Sequence, residues 1–292
     1  MNKLRVIILL LFSLFFLFPP FAQTQNLKIH FLDVGEGDAV FIQSPHGKTV
    51  LVDAGNLITG FRVGEYLKRN NVQRLDYLIF THPHFDHIGG AFFVMQMMEV
   101  REVFDNGENL VDWVNSVDMY RWYNKLVRSK DNYRGLKTGD TIVLDEIRLN
   151  VLWPQFPSVS LDFNANSLVI MLEYGEFRCL LAGDFTDKGE NVLLNQGLDL
   201  KADVLKVGHH GAGDANSEEF LLAISPKIAI ISVDKSNLLG YPSEEVLNRF
   251  RGNKVKIYRT DRDGDIILTV YLLKKGKSPK INIERHKSFN KS

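Results

Sequence analysis

Residues 81–90 read Thr81-His82-Pro83-His84-Phe85-Asp86-His87-Ile88-Gly89-Gly90. Three His and one Asp fall within six positions, His82 to His87. The run follows an apolar stretch, Leu75-Asp76-Tyr77-Leu78-Ile79-Phe80, that reads as a strand. It precedes a Gly-Gly pair and a helical stretch from Ala91 to Met98. A turn at a strand end aims several side chains into one cavity. His offers a neutral nitrogen and Asp a hard oxygen, a mixture suited to Zn, Mn or Fe. The bland alternative is a polar loop that happens to be rich in His. The full H-x-H-x-D-H-x-G-G spacing behind a strand argues against it.

Two other strand ends carry groups of the same chemistry. Asp184 closes the apolar run Leu180-Leu181-Ala182-Gly183, where Gly183 permits close backbone approach. Asp184 reads either as a helix N-cap or as a ligand shared by two ions. His209 and His210 end the run Val204-Leu205-Lys206-Val207 and precede Gly211. Three strand ends, each with His or Asp, together favour a metal site over three unrelated polar ends.

The remaining pattern supplies a scaffold. Strands are predicted at Leu27–Leu32, Ala39–Gln43, Thr49–Val52, Thr141–Leu144, Arg148–Leu152, Leu168–Tyr174, Phe177–Ala182, Val204–Val207, Ile228–Ser232, Lys254–Arg259 and Ile266–Leu272. Helices are predicted at Arg62–Asn70, Lys188–Asn195, Ser217–Ile224 and Ser243–Phe250. Asn109 to Arg134 is rich in aromatic and charged residues and reads as one or two helices packed on the core, with a substrate lid as the sharper alternative. Two halves that each begin with strands and add helices predict an α/β (α+β) fold of two sheets packed face to face, with helices outside.

Bulk properties set bounds. The 292 residues are 45% hydrophobic and 24% charged, enough for one sizeable core. Lys+Arg and Asp+Glu are both 35, so net charge gives no electrostatic case for nucleic acid. From Lys274 onward seven Lys/Arg face one acid, Glu284, and residues 274–292 read as a solvated, poorly ordered basic tail. At the other end, Lys3 and Arg5 precede an apolar run from Val6 to Phe18, then Pro19-Pro20 and Ala22. Residues 1–22 read as a signal peptide or N-terminal anchor, which predicts an exported protein, periplasmic or secreted. No later apolar run is long enough to predict an integral membrane domain. The single cysteine, Cys179, reads as a small buried apolar residue.

The decapeptide resembles motif two of the metallo-β-lactamase superfamily. Phe31-Leu32-Asp33-Val34-Gly35-Glu36-Gly37-Asp38-Ala39, Asn166-Ser167-Leu168-Val169, Leu181-Ala182-Gly183-Asp184, Asp203 to Gly211 and Tyr258 to Gly264 are similar to the hydrolase domain of ComEC competence proteins and their stand-alone relatives. The likeness spans residues 27–273, read as one hydrolase domain. It implies an αββα sandwich of two packed mixed β-sheets flanked by helices, with two divalent metal ions, Zn or Mn foremost and Fe as a further option. Carried over by position, one ion takes His82, His84 and Asp184. The other takes Asp86, His87, Asp184 and either His209 or His210, with His209 preferred. Asp53 and Asp38 are expected to support the motif-two turn from behind. Glu36, Ala212 and Tyr241 replace the Gln, Ser and His usual in that branch. His84 is a ligand type that many ComEC domains lack.

The expected activity is hydrolysis of phosphodiesters through a metal-bridged hydroxide, with DNA or a phosphorylcholine-type cell-envelope headgroup as substrate. Asp86, His209 and His210 are the expected catalytic residues, the last two as ligand or proton donor. Tyr241 and Asn166 are candidate substrate contacts. Two alternatives stay open: a lactone, amide or thioester hydrolase of the same fold, and a catalytically impaired metal-binding accessory protein.

Overall fold

The computed structural model describes residues 26–108, 118–155, 162–236, 238–274 and 276–286. The expected leader, the first part of the aromatic segment and the last residues of the tail lie outside them. The chain runs through β1 (Leu27–Phe31), β2 (Val40–Gln43), β3 (Thr49–Val52), α1 (Leu57–Arg69), β4 (Arg74–Ile79), α2 (Phe85–Ile88), α3 (Ala91–Met97) and β5 (Glu99–Asp105). It continues with α4 (Asp118–Tyr123), β6 (Tyr133–Gly135), β7 (Thr141–Leu144), β8 (Ile147–Trp153), β9 (Val169–Tyr174), β10 (Phe177–Leu181) and α5 (Asp187–Leu194). The last part holds β11 (Val204–Lys206), α6 (Glu218–Ile224), β12 (Ile228–Ile231), α7 (Glu244–Gly252), β13 (Lys256–Arg259), α8 (Thr260–Asp263), β14 (Asp265–Tyr271) and β15 (Lys280–His286).

Two mixed sheets result. The first has the order β15-β14-β1-β2-β3-β4-β5-β6 and the second β13-β12-β11-β10-β9-β8-β7. Side-chain alternation sorts the residues. Leu27, Ile29 and Phe31 of β1, with Ile266, Leu268 and Val270 of β14, face a central core shared with Ile170 and Leu172 of β9. Val169 and Met171 of β9 face the opposite way, under α5, α6 and α7, with Phe220, Leu221, Val246 and Phe250. On the outer face of the first sheet, Phe41, Leu51 and Leu78 pack under α1 and α3 against Val63, Leu67 and Val94. The layers are therefore helix, sheet, sheet, helix. The parallel neighbours β3, β4 and β5 in one sheet and β10, β11, β12 and β13 in the other send their C-terminal ends to the same side.

Several elements differ from expectation. Glu99–Asp105 forms β5, where the charges at Glu99, Arg101 and Glu102 hid a strand whose apolar part, Val103 and Phe104, is buried. The tail is not wholly unstructured. Lys280–His286 pairs antiparallel with β14, and Ile281 and Ile283 pack on the central core while Lys280 and Glu284 face outward. Its basic composition masked a period of two. In the aromatic segment the core reading holds for Tyr123, which is fully buried, stacks edge-on to Phe80 and donates a 3.0 Å hydrogen bond to Asp105. Arg128 and Tyr133 close on the same carboxylate at 2.7 Å each.

Candidate metal centre

At that common sheet end, the turn after β4 is set by a buried carboxylate. Asp53, at the end of β3, accepts hydrogen bonds from the Thr81 amide (2.8 Å), the Thr81 hydroxyl (2.7 Å) and His87 Nδ1 (2.8 Å). Because Nδ1 donates, the His87 Nε2 lone pair faces inward. Asp53 thus braces the motif-two turn from behind. Close approaches fix the rest. A Cβ at Gly37 would lie 2.0 Å from the Asp86 carbonyl oxygen, and one at Gly183, whose φ is +51°, would lie 2.9 Å from Thr81 Cβ. Glycine at these two positions lets the β1–β2 loop and the end of β10 press on the turn.

Among the described residues three groups of ligand-type atoms lie within 4.8 Å: Asp38, Asp53 and His87 behind the turn, and two that share Asp184. One is His82, His84 and Asp184; the other is Asp86, His87, Asp184 and His210. Asp184 Oδ2 is the hinge, lying 3.7 Å from His82 Nε2, 3.2 Å from His87 Nε2 and 3.3 Å from His210 Nε2. His82 Nε2 and His84 Nδ1 face each other at 3.0 Å. Asp184 does not cap α5, which has Thr186 at its N-cap.

The structure separates the two adjacent His. His209 and His210 both adopt left-handed backbone angles, φ 46° and 53°, in a turn after β11. Such angles cost about 1–3 kcal/mol at a non-glycine residue. The turn sends His210 inward, where its Nδ1 donates to the Ser232 carbonyl at 3.0 Å and its Nε2 joins the second group. His209 points elsewhere: Nδ1 bonds Asp214 at 2.8 Å, Nε2 lies 3.1 Å from Asn164 Nδ2, and its ring is 5.5 Å from Tyr241. The structure thus brings His210 to the second group, and not His209, which the sequence reading preferred. Asn216 braces this turn, accepting from the Gly208 amide and donating to the Gly208 carbonyl.

A further expectation shifts. Asn166 is fully buried, donates to Glu108 at 2.7 Å and offers its carbonyl to Asn106, so it stiffens a loop and does not face the mouth. Asn164 is the residue of that segment that reaches the site. The Asp38 carboxylate lies within 4.8 Å of Asp53 and of His87 in the motif-two turn, and its close partner is a lysine. Its Oδ2 pairs with Lys206 at 2.6 Å, and its Oδ1 lies 3.9 Å from His210 Nδ1. Lys206, 1% exposed, was read only as part of an apolar strand. A lysine between leucine and valine at a strand end was the available signal, since a buried ammonium requires a partner.

The charges explain why these groups want a cation. Burial depresses His87, but Asp184, Asp53 and Asp86 outweigh it and hold the ring well above its ordinary value. Burial likewise depresses His210, and Asp184 and Asp86 reverse this, pushing it up to about 10. Burial and the neighbouring His87 hold His82 well below its ordinary value. Burial raises Asp184, yet His210 and His87 keep it well below the carboxylate range. His87 Nε2, His210 Nε2 and Asp184 Oδ1 are buried with no hydrogen-bond partner. Buried polar atoms left without partners at one point fit metal ligands, whose lone pairs serve an ion. The mixed N/O set suits a divalent transition metal.

An αββα fold carrying a His/Asp centre at the shared end of its sheets defines a class of metal-dependent hydrolase folds. The chain belongs to the metallo-β-lactamase superfamily, whose family model matches residues 32–234. In sequence it is 31% identical over 257 residues to ComE operon protein 3 of Bacillus subtilis (strain 168), covering 82% of this chain and 32% of that one. It is 28% identical over 236 residues to competence protein ComA of Neisseria gonorrhoeae, covering 80% of this chain and 30% of that one. The chain thus spans about a third of the length of these curated relatives. Among solved structures, the metallo-β-lactamase fold protein YhfI from Bacillus subtilis superposes with a TM-score of 0.52 at 13% identity, over 89% of this chain and all of that one. CmlA, a diiron β-hydroxylase from Streptomyces venezuelae, gives 0.55 at 15% identity, over 80% of this chain and 53% of that one. At such identities the likeness concerns the fold. Among the described residues no helix is long and apolar enough to cross a membrane.

Proposed function

We propose that this protein is an exported, metal-dependent phosphodiesterase with a dinuclear centre. The observation that carries the reading is the pair of ligand groups sharing Asp184: His82, His84 and Asp184 on one side, Asp86, His87, Asp184 and His210 on the other. Zn or Mn held there supplies Lewis acidity, activating water and drawing charge from the phosphoryl oxygens. The chain's own residues do the rest. Asp53 and the Ser232 carbonyl hold His87 and His210 by their Nδ1 atoms, so both Nε2 lone pairs stay aimed inward. Asp86, whose side chain is 27% exposed, reaches the mouth and orients the attacking water. His209, outside both ligand groups and fixed by Asp214, donates the proton to the leaving oxygen. The N-terminal charged and apolar segment supports export, and the substrate is a phosphodiester of DNA or of an envelope headgroup.

The test is hydrolysis of bis(p-nitrophenyl) phosphate by the full chain reconstituted separately with Mn and Zn. Turnover should require the metal and fall by at least about a hundredfold in Asp184→Asn, in line with the loss of a shared ligand. A folded, metallated protein that hydrolyses none of it removes the phosphodiesterase reading.

A further inference from the structure

The surroundings of the reactive centre discriminate between the two substrate classes. A nucleic acid carries a charge at every nucleotide, and proteins hold the flanking phosphates with Lys and Arg. The cavity at the mouth beside His210 is lined by Glu36, Val233, Asp234, Leu238, Leu239 and Tyr241, with no Lys or Arg among them. Two carboxylates, Glu36 and Asp234, stand in this wall. Lys206 is buried and committed to Asp38. On the opposite flank, the His84 ring meets Phe163 at 5.6 Å, and Phe163 meets Tyr120 at 6.2 Å. On that side Arg128 is committed to Asp105 at 2.7 Å, and Lys188 pairs at the surface with Asp162 at 2.9 Å.

Beside these carboxylates the mouth presents apolar side chains. Leu238 is 85% exposed and Leu239 57% exposed, side by side on the loop that lines the cavity. Phe85, between His84 and Asp86 in the ligand-bearing turn, is 43% exposed. Single exposed apolar side chains need no explanation, but an adjacent pair at a cavity whose described lining holds no Lys or Arg, with a third in the ligand-bearing turn, does.

We infer that the substrate is a phosphodiester amphiphile, a phospholipid-like molecule whose apolar portion lies on Leu238, Leu239 and Phe85 while its phosphate sits at the Asp184 centre. This rests on the phosphodiesterase reading. One phosphate needs no track of cations, and the acidic wall at Glu36 and Asp234 accepts a neutral or cationic headgroup where it refuses a polyanion. Alkyl chain in contact with the exposed leucines leaves water, which favours binding in proportion to the area covered.

The experiment measures kcat/KM of the full chain, loaded with Mn or Zn, on methyl and octyl p-nitrophenyl phosphate below their aggregation concentrations and on a single-stranded oligonucleotide. The octyl ester should exceed the methyl ester by about tenfold or more, a fraction of what full burial of the added methylenes allows. The double variant Leu238→Ser/Leu239→Ser should cut that ratio to about two, because the covered area it offers is largely polar. The oligonucleotide should be the poorest substrate. A flat ratio with the methyl ester turned over, a ratio that the double variant keeps, or an oligonucleotide preferred to the octyl ester overturns the inference and leaves the phosphodiesterase reading standing. No turnover of any of the three removes that reading and this inference with it.

Discussion

Removing the Lys206 ammonium tests how the charge beneath the centre is balanced. Lys206 and Asp38 form a 2.6 Å ion pair with side chains 1% and 3% exposed. Lys206→Met keeps most of the volume but leaves the Asp38 carboxylate buried without its cation, near His210. Breaking one side of such a pair costs about 3–5 kcal/mol, because an uncompensated charge remains in a poor solvent. For a domain of this size that corresponds to a fall in Tm of roughly 6–20 °C. Asp38→Asn carries a similar penalty from the other side, since it strands the ammonium. The double variant Lys206→Met/Asp38→Asn removes both charges, so it should be less destabilised than the sum of the singles by about 2 kcal/mol or more. Urea unfolding at pH 7 with chelator present gives all four free energies without a contribution from bound metal. Strict additivity in the cycle would refute the reasoning, as would a single variant with wild-type stability; either outcome means the pair is not electrostatically coupled.

Three further outcomes follow from the geometry. His210→Ala should lower affinity for the ion at its group by about 10–100-fold or abolish it, while His209→Ala keeps both ions; zinc titration with a competing chromophoric chelator reads the difference, and equal losses would contradict the assignment. His30, buried against Tyr66 and Phe41, is held down at about 3 by burial and by Lys28 and His286. Its folded value lies below its unfolded one, so its neutral form costs nothing above pH 6.5, and stability is lost as pH falls from there towards 3, at up to about 1.4 kcal/mol per pH unit. In His30→Gln this part of the slope should vanish when urea midpoints are compared between pH 4.5 and 7.5. Asn56 caps α1, accepting from the Ile58 and Thr59 amides while Thr59 reciprocates; Asn56→Ala should cost about 1 kcal/mol, seen as a Tm lower by roughly 2–4 °C.

Local chemistry made much of the molecule legible. Period-two runs such as Leu27–Phe31 and Val169–Tyr174 announce strands because each must present one face to a core. The decapeptide announces its site because four polar ligand-type groups in six positions have few uses other than a metal. Charged residues concealed β5 and β15, since at the sheet margin only alternate side chains need be apolar. The choice between His209 and His210 was not legible: adjacent residues have equal access in sequence, and the left-handed turn that aims one inward and one outward exists only once Asn216, Ser232 and Gly208 are packed around it.

By itself the sequence determined which residues are apolar, where strands end and which side chains can bind a cation, all consequences of single residues and their near neighbours. The tertiary structure decided which of those side chains meet. It brought Asp184, 98 positions after Asp86, to His82, His87 and His210, put Lys206 under Asp38, buried Asn166 in place of Asn164, and left Leu238 and Leu239 exposed beside the centre. Contacts of that range depend on how strand ends converge when two sheets pack. That convergence is set by the sum of core burial over the whole domain, a quantity no local stretch of chain contains.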